Sequence, residues 1–346
     1  MIDQKLHRFI ECIPKADLHV HLDSVPPGLL LRLAERNGVE LPFKTVEEFN
    51  SWYVLKDLED FMRKYATTTS VLRTEEDYRD VAYEMGMNMK RQNIFRCEAM
   101  FTYAAAHEGR VTLDVMLKGL ALGRIAVKED FDVDLYFLAD IDRTIGPERS
   151  LRYIEDIIPY KEEVGILGVG FDCQETGYPA GPHKPAFELA RSNGFLLSAH
   201  AGEEYAAGPQ AVWEVIESVA PDRIDHGNQA LLDDELVTYL AETQIPLTLC
   251  PMSNVAIQVY GHVGEHPIMD LKDRGVFVTL NSDDNTMMSS RNDLVYNYTC
   301  VTEAFELSTG DIASLARNGF LASYASEIEK ERYIAQLDGW LSENRM

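Results

Sequence analysis

The chain has 346 residues, 46% of them hydrophobic and 26% charged, which is ordinary globular composition. A formal net charge of −25 argues against a general nucleic-acid or membrane-surface binder, since either needs a basic face. Five scattered cysteines (Cys12, Cys97, Cys173, Cys250, Cys300) form no C-x-x-C, and no apolar run reaches membrane-spanning length or reads as a signal core. A cytoplasmic protein of one domain, residues 1–346, is expected.

The first predicted strand covers residues 16–20 and leads into His21. Strand side chains alternate, so His19 and His21 face the same way. Two buried imidazoles on one face are either hydrogen-bonded core residues or ligands of a shared metal. The pair alone does not decide between these. A helix over 27–37 follows, with Leu29, Leu30 and Leu33 at helical spacing and Gly38 as terminator. Residues 39–73, carrying Trp52, Tyr53 and Phe61, form an extra helical segment, a lid, after this first strand. Beyond it, strands are predicted at 94–100, 133–139, 166–171, 195–200, 223–226, 246–250 and 276–280. Helices are predicted at 74–92, 113–129, 147–164, 184–192, 210–219, 233–243 and 266–274, with a closing helical stretch at 311–343. The strands are mostly apolar, which suits parallel strands covered on both faces. Eight of them alternating with helices predict an α/β fold, a (β/α)8 TIM barrel.

Active sites of such barrels collect at the C-terminal ends of the strands. His19 and His21 end the first strand, Glu98 is near the end of the second, and Asp172 follows the fourth. His200 and Glu203 follow the fifth, Asp225 and His226 end the sixth, and Asp283 and Asp284 follow the eighth. Each has an ordinary explanation, such as a carboxylate capping the next helix. Taken together, three histidines and an aspartate ending strands one, five and eight converge on one opening. That donor set suits zinc or iron with a position left open for water. Such chemistry also needs an acid and a base. Glu203 can supply one, with His226 and Asp284 as candidates for the other. Adjacent aspartates cannot face a metal identically, so one ligand and one acid/base partner is the natural division of Asp283 and Asp284.

The motifs K-A-D-L-H-V-H-L-D (15–23), S-A-H-A-G-E (198–203), R-I-D-H-G (223–227), L-C-P-M-S-N (249–254) and N-S-D-D (281–284) resemble, in order and spacing, the adenosine/adenine deaminase family of metal-dependent amidohydrolases. The likeness runs from about Pro14 to Asp284. It implies one divalent metal, Zn2+ or Fe2+, on His19, His21, His200 and Asp283. It also implies that Glu203 protonates the purine N1 while His226 and Asp284 orient and deprotonate the attacking water. The chain departs from the family at Ser24, where glycine is usual, and at Asn285, where proline is usual. The H-x-E with P-C-x-x-C signature of the other zinc deaminase class is absent.

Within the family, the segment Asp172-Cys173-Gln174-Glu175-Thr176-Gly177-Tyr178-Pro179 resembles the D-S-S-E-x-G-x-P of the adenine deaminase subgroup rather than the D-L-A-G of adenosine enzymes. This implies deamination of adenine to hypoxanthine. Glu175 and Gly177 are then substrate-binding candidates, with the Glu175 carboxylate placed to pair with a base N–H that a nucleoside lacks. Asp23 is the adenosine-type choice in its motif and a further substrate-binding candidate, so an adenosine deaminase or a deaminase of a modified adenine is the alternative. A two-metal amidohydrolase usually needs a bridging lysine or carboxylate after the fourth strand; the segment here offers Asp172 and Glu175 but no lysine before Lys184, which favours a single metal. A catalytically dead binding protein of the same fold would be expected to lack a ligand or Glu203. The expected partner is a small-molecule purine, not nucleic acid or membrane.

Overall fold

The computed structural model describes residues 2–103, 107, 109–284 and 293–344. Eight parallel strands follow one another around a barrel: β1 (Lys15–His21), β2 (Ile94–Thr102), β3 (Asp134–Asp142), β4 (Ile166–Asp172), β5 (Leu196–Ala201), β6 (Arg223–His226), β7 (Leu247–Leu249) and β8 (Val278–Leu280). Each pairs with the next, as in Glu98 opposite Tyr136 and His200 opposite Asp225. The ring is joined between first and last strands by a parallel bridge from Val20 to Asp283, where the Asp283 N–H donates to the His19 carbonyl at 2.8 Å. Nearly every strand residue is buried, which is why the strands read as continuous apolar runs rather than alternating ones.

Helices occupy the intervals. Helix Pro27–Asn37 starts with proline in its first turn and ends at Gly38, whose φ of 61° is left-handed. Helices Glu75–Arg91 and Leu113–Phe131 pack face to face. A Cβ on Gly119 would sit 2.4 Å from the Glu75 carbonyl oxygen, so only glycine allows that approach. The helix predicted over 147–164 is divided into Pro147–Ile157, a 3-10 turn Ile158–Tyr160 and Lys161–Val164. Pro159 explains the interruption, because it removes an amide donor and its ring crowds the preceding turn. β7 is two residues shorter than predicted, and β2 runs two residues longer.

The segment after β1 holds helices Val46–Trp52 and Leu58–Thr69, capped by the side chains of Thr45 and Asp57. After β8 come Leu294–Phe305, Thr309–Ala322 and Glu327–Glu343. Thr309–Ala322 lies across the seam of β1 and β8, with Gly319 against Ala16 and Asn318 donating to the Val278 carbonyl at 2.9 Å. No described helix is long and apolar enough to cross a membrane.

Candidate metal and acid-base centre

Alternation along β1 sends His19 and His21 to the same side, and both reach a cluster formed by His200, His226, Asp283 and Asp284. The Nε2 atoms of His21 and His200 are 3.3 Å apart. Asp283 Oδ1 lies 3.4 Å from His21 Nε2 and 3.8 Å from His19 Nε2. Nitrogen ligands about 2.0–2.1 Å from a tetrahedral zinc lie roughly 3.3 Å from one another, so these separations match atoms ready to share one ion. His19 supplies a second test of fit. Its Nδ1 is 3.2 Å from the Thr248 carbonyl oxygen and 3.0 Å from Thr248 Oγ1. A carbonyl only accepts, so the proton is on Nδ1 and the lone pair on Nε2, which is buried with no partner among the described residues.

The electrostatics agree with that arrangement. Burial, opposed by Asp283 and Asp225, holds the His19 pKa below its ordinary value. Burial and then the neighbouring imidazoles push His200 and His226 well below theirs. His21 is the exception, since Asp284 and Asp283 outweigh its desolvation and hold it raised. Asp283 is lowered, because the imidazoles of His19, His226 and His21 outweigh its burial. Its neighbour Asp284 is pushed up to about 7 by burial, with the negative charge of Asp283 adding to it and His21 opposing. Adjacent carboxyls whose pKa values are driven apart suit different roles. Ser24, one of the departures from the family pattern, donates its hydroxyl to Asp284 Oδ1 at 2.6 Å. Asn285, the other, lies outside the described residues.

Glu203 is buried, and its pKa is raised well above the ordinary value by burial and then by the charges of Asp283 and Glu175. Its Oε1 accepts from Asn254 Nδ2 at 3.2 Å and lies 3.4 Å from His226 Nε2. His226 and Asp283 both have left-handed backbones, with φ of 65° and 61°. Non-glycine residues pay about 1–2 kcal/mol for this, and such strain gathers where side chains must be aimed. Asp225, at the end of β6, lies behind the cluster. It accepts from Thr248 Oγ1 at 2.7 Å and from Ser198, and stands 3.8–3.9 Å from the Nδ1 atoms of His200 and His19.

The pocket in front of these groups is lined by His21, His200, Glu203, His226, Asp283 and Asp284, with Thr102, Asp172, Cys173 and Ile257 along its wall. Phe61, Met62 and Tyr65 of helix Leu58–Thr69 cover it, which places the segment after β1 over the opening. Asp23, Glu175 and Gly177 are not among these lining residues. Glu175 turns inward to accept the backbone N–H groups of Gly202 (2.7 Å), Glu203 (2.8 Å) and Glu204 (3.0 Å). Glu204 reciprocates by accepting from the Glu175 N–H at 2.5 Å and from Thr176. Gly177 is in the exposed turn beyond, at φ 90°. Asp23 Oδ2 accepts from the Tyr65 hydroxyl at 2.7 Å, and Oδ1 lies 3.4 Å from His107 Nε2. Glu98, expected at a strand end, is mid-strand because β2 continues to Thr102, and it is ion-paired with Arg96 and Arg223.

Sequence reading named Phe61 in the expected lid but missed Met62 and Tyr65 beside it, Asn254 as a partner of Glu203, and Arg143. The buried Arg143 guanidinium donates to the carbonyl of Asp172 at 3.0 Å and to that of His200, tying β4 to β5. Asn254 had a signal, its place in L-C-P-M-S-N. Arg143 had none, since a lone arginine after a strand reads as surface.

A model of the adenosine deaminase family matches residues 14–340. The adenine deaminase of Rhodospirillum rubrum is 33% identical over 330 residues, covering 95% of this chain and 97% of that protein. The crystal structure of an adenine deaminase from Arthrobacter aurescens superposes with a TM-score of 0.90 at 29% identity, covering 96% of this chain and all of that one. A zinc-bound amidohydrolase from Burkholderia ambifaria shares the fold at a TM-score of 0.88 and 20% identity, covering 99% of this chain and 94% of that one.

Proposed function

The chain belongs to the adenosine deaminase family, and within it we propose that this protein is an adenine deaminase, hydrolysing adenine to hypoxanthine and ammonia with one bound divalent metal. The observation that carries this reading is a buried Glu203, its carboxyl raised well above the ordinary range by burial, facing the same small pocket as His21, His200 and Asp283. His19, His21, His200 and Asp283 would hold the metal, zinc or iron by the chemistry of three imidazoles and a carboxylate. When bound, such a cation supplies Lewis acidity and an acidified water.

The chain's own groups do the rest. Glu203 donates its proton to N1 of the ring, which makes C6 electrophilic. His226 and Asp284 orient the attacking water and accept its proton. Addition at C6 gives a tetrahedral carbon, the amino group leaves as ammonia after protonation, and the 6-oxopurine remains. The covering helix places Phe61, Met62 and Tyr65 on the pocket wall, where their apolar surface would limit the approach of bulk water to the bound ring. Tyr65 holds Oδ2 of Asp23, so one of the two oxygens of that carboxylate is already engaged within the chain rather than held ready for a sugar hydroxyl.

The test is ammonia release from adenine by the purified protein before chelation, after chelation, and after return of zinc or ferrous iron. Activity lost and restored with the metal supports the proposal. Adenine turnover undiminished in fully demetallated protein, or none in fully metallated protein, contradicts it.

A further inference from the structure

We infer that Asn254 is a positioning residue for Glu203, its amide orientation locked by Asn228 and His266, so that Glu203 Oε1 accepts and Oε2 is left to deliver the proton. The inference rests on the reading of Glu203 as the proton donor to the ring.

Asn254 is fully buried in the short helix Pro251–Ala256 that follows β7. Its Oδ1 accepts from Asn228 Nδ2 at 2.8 Å and lies 3.2 Å from His266 Nε2. The direction of that second bond is fixed from behind. The Ile268 N–H donates to His266 Nδ1 at 3.2 Å, so Nδ1 carries the lone pair and the ring proton is on Nε2. Two donors therefore converge on one amide oxygen. Flipping Asn254 would turn its NH2 toward both and leave buried donors unsatisfied, which is costly. Its Nδ2 must then face Glu203, where it donates to Oε1 at 3.2 Å. A carboxyl whose Oε1 is engaged as an acceptor carries its own proton on Oε2. The chain from Ile268 through His266 and Asn254 to Glu203 is thus a one-way series of donors. It explains a buried histidine and the asparagine of L-C-P-M-S-N, neither of which lines the pocket.

The experiment is a double-mutant cycle on the metal-loaded enzyme, with adenine as substrate. Asn254→Asp keeps an acceptor for Asn228 and His266 but removes the donor to Glu203. It should lower kcat about 10- to 100-fold with KM changed less than about threefold and metal content unchanged. In the Glu203→Gln background the same substitution should cost almost nothing further, because it acts through the group already removed. His266→Gln, which retains an N–H donor, should keep most of the rate that His266→Leu loses, and this pair decides the matter if Asn254→Asp does not fold. An Asn254→Asp effect that multiplies undiminished onto Glu203→Gln, an unaltered kcat in Asn254→Asp, or equal losses in the two His266 variants would overturn the inference. A Glu203→Gln enzyme with wild-type kcat would instead overturn the assignment of Glu203 on which it rests.

Discussion

Burial alone would make four imidazoles and two adjacent aspartates a liability in the middle of a barrel. Their protonation pattern gives them a use. His19 turns its lone pair on Nε2 toward Asp283 because Nδ1 is committed to Thr248. If these atoms bind the metal, His200→Ala and Asp283→Ala should each lose it together with turnover, and elemental analysis finding full occupancy in either would contradict the assignment. Glu203→Gln should keep metal and fold but lose about 10²–10⁴ in kcat, the usual range for a general acid. Glu175 shows what a sequence can and cannot disclose. Its position marked it as functional, but nothing in the string told where its two oxygens point, and they bind three backbone amides of the loop carrying Glu203. Glu175→Gln should therefore lower kcat for adenine about tenfold, the worth of one or two such hydrogen bonds. It should leave the adenine-to-adenosine ratio unchanged, whereas a residue reading the base would shift that ratio.

The strands were legible as elements because buried parallel strands are short apolar runs, and their polar terminators marked the opening of the barrel. The segment over the opening was legible as a helical lid, but not by which residues it would meet the site. Its contact with the site is made by Phe61, Met62 and Tyr65, which look like any amphipathic helix face until a partner is present. The bond from Tyr65 to Asp23 joins helix Leu58–Thr69 to the turn after β1 and occupies Oδ2 of that carboxylate. Tyr65→Phe should release Asp23 and raise kcat/KM for adenosine relative to adenine by about tenfold, roughly one hydrogen bond to a charged group. A ratio equal to wild type would show that this tie has no part in excluding the nucleoside.

At the scale of the whole molecule, buried ionisable groups link stability to pH. His266 is held down to about 3 by burial, so between there and the ordinary histidine value the unfolded chain binds the proton that the folded chain refuses. Its contribution is complete above about pH 6.5 and is lost as pH falls toward 3, at no more than about 1.4 kcal/mol per pH unit. Asp17, pushed up to about 7 by burial, works in the opposite sense over part of this range. The decisive comparison is therefore between wild type and His266→Gln. From pH 7 to pH 5 the variant should lose less of its thermal midpoint, and equal losses would show that His266 does not resist protonation. The central claim, a metal-dependent deaminase of a free purine base, is tested most directly by one measurement. That measurement is kcat/KM for ammonia release from adenine and from adenosine on the same metal-loaded protein. The account predicts adenine ahead by about 100-fold or more, on the order of what an occupied or missing polar partner is worth to an enzyme's selectivity. Adenosine turned over as fast or faster, or ammonia from neither, would contradict it.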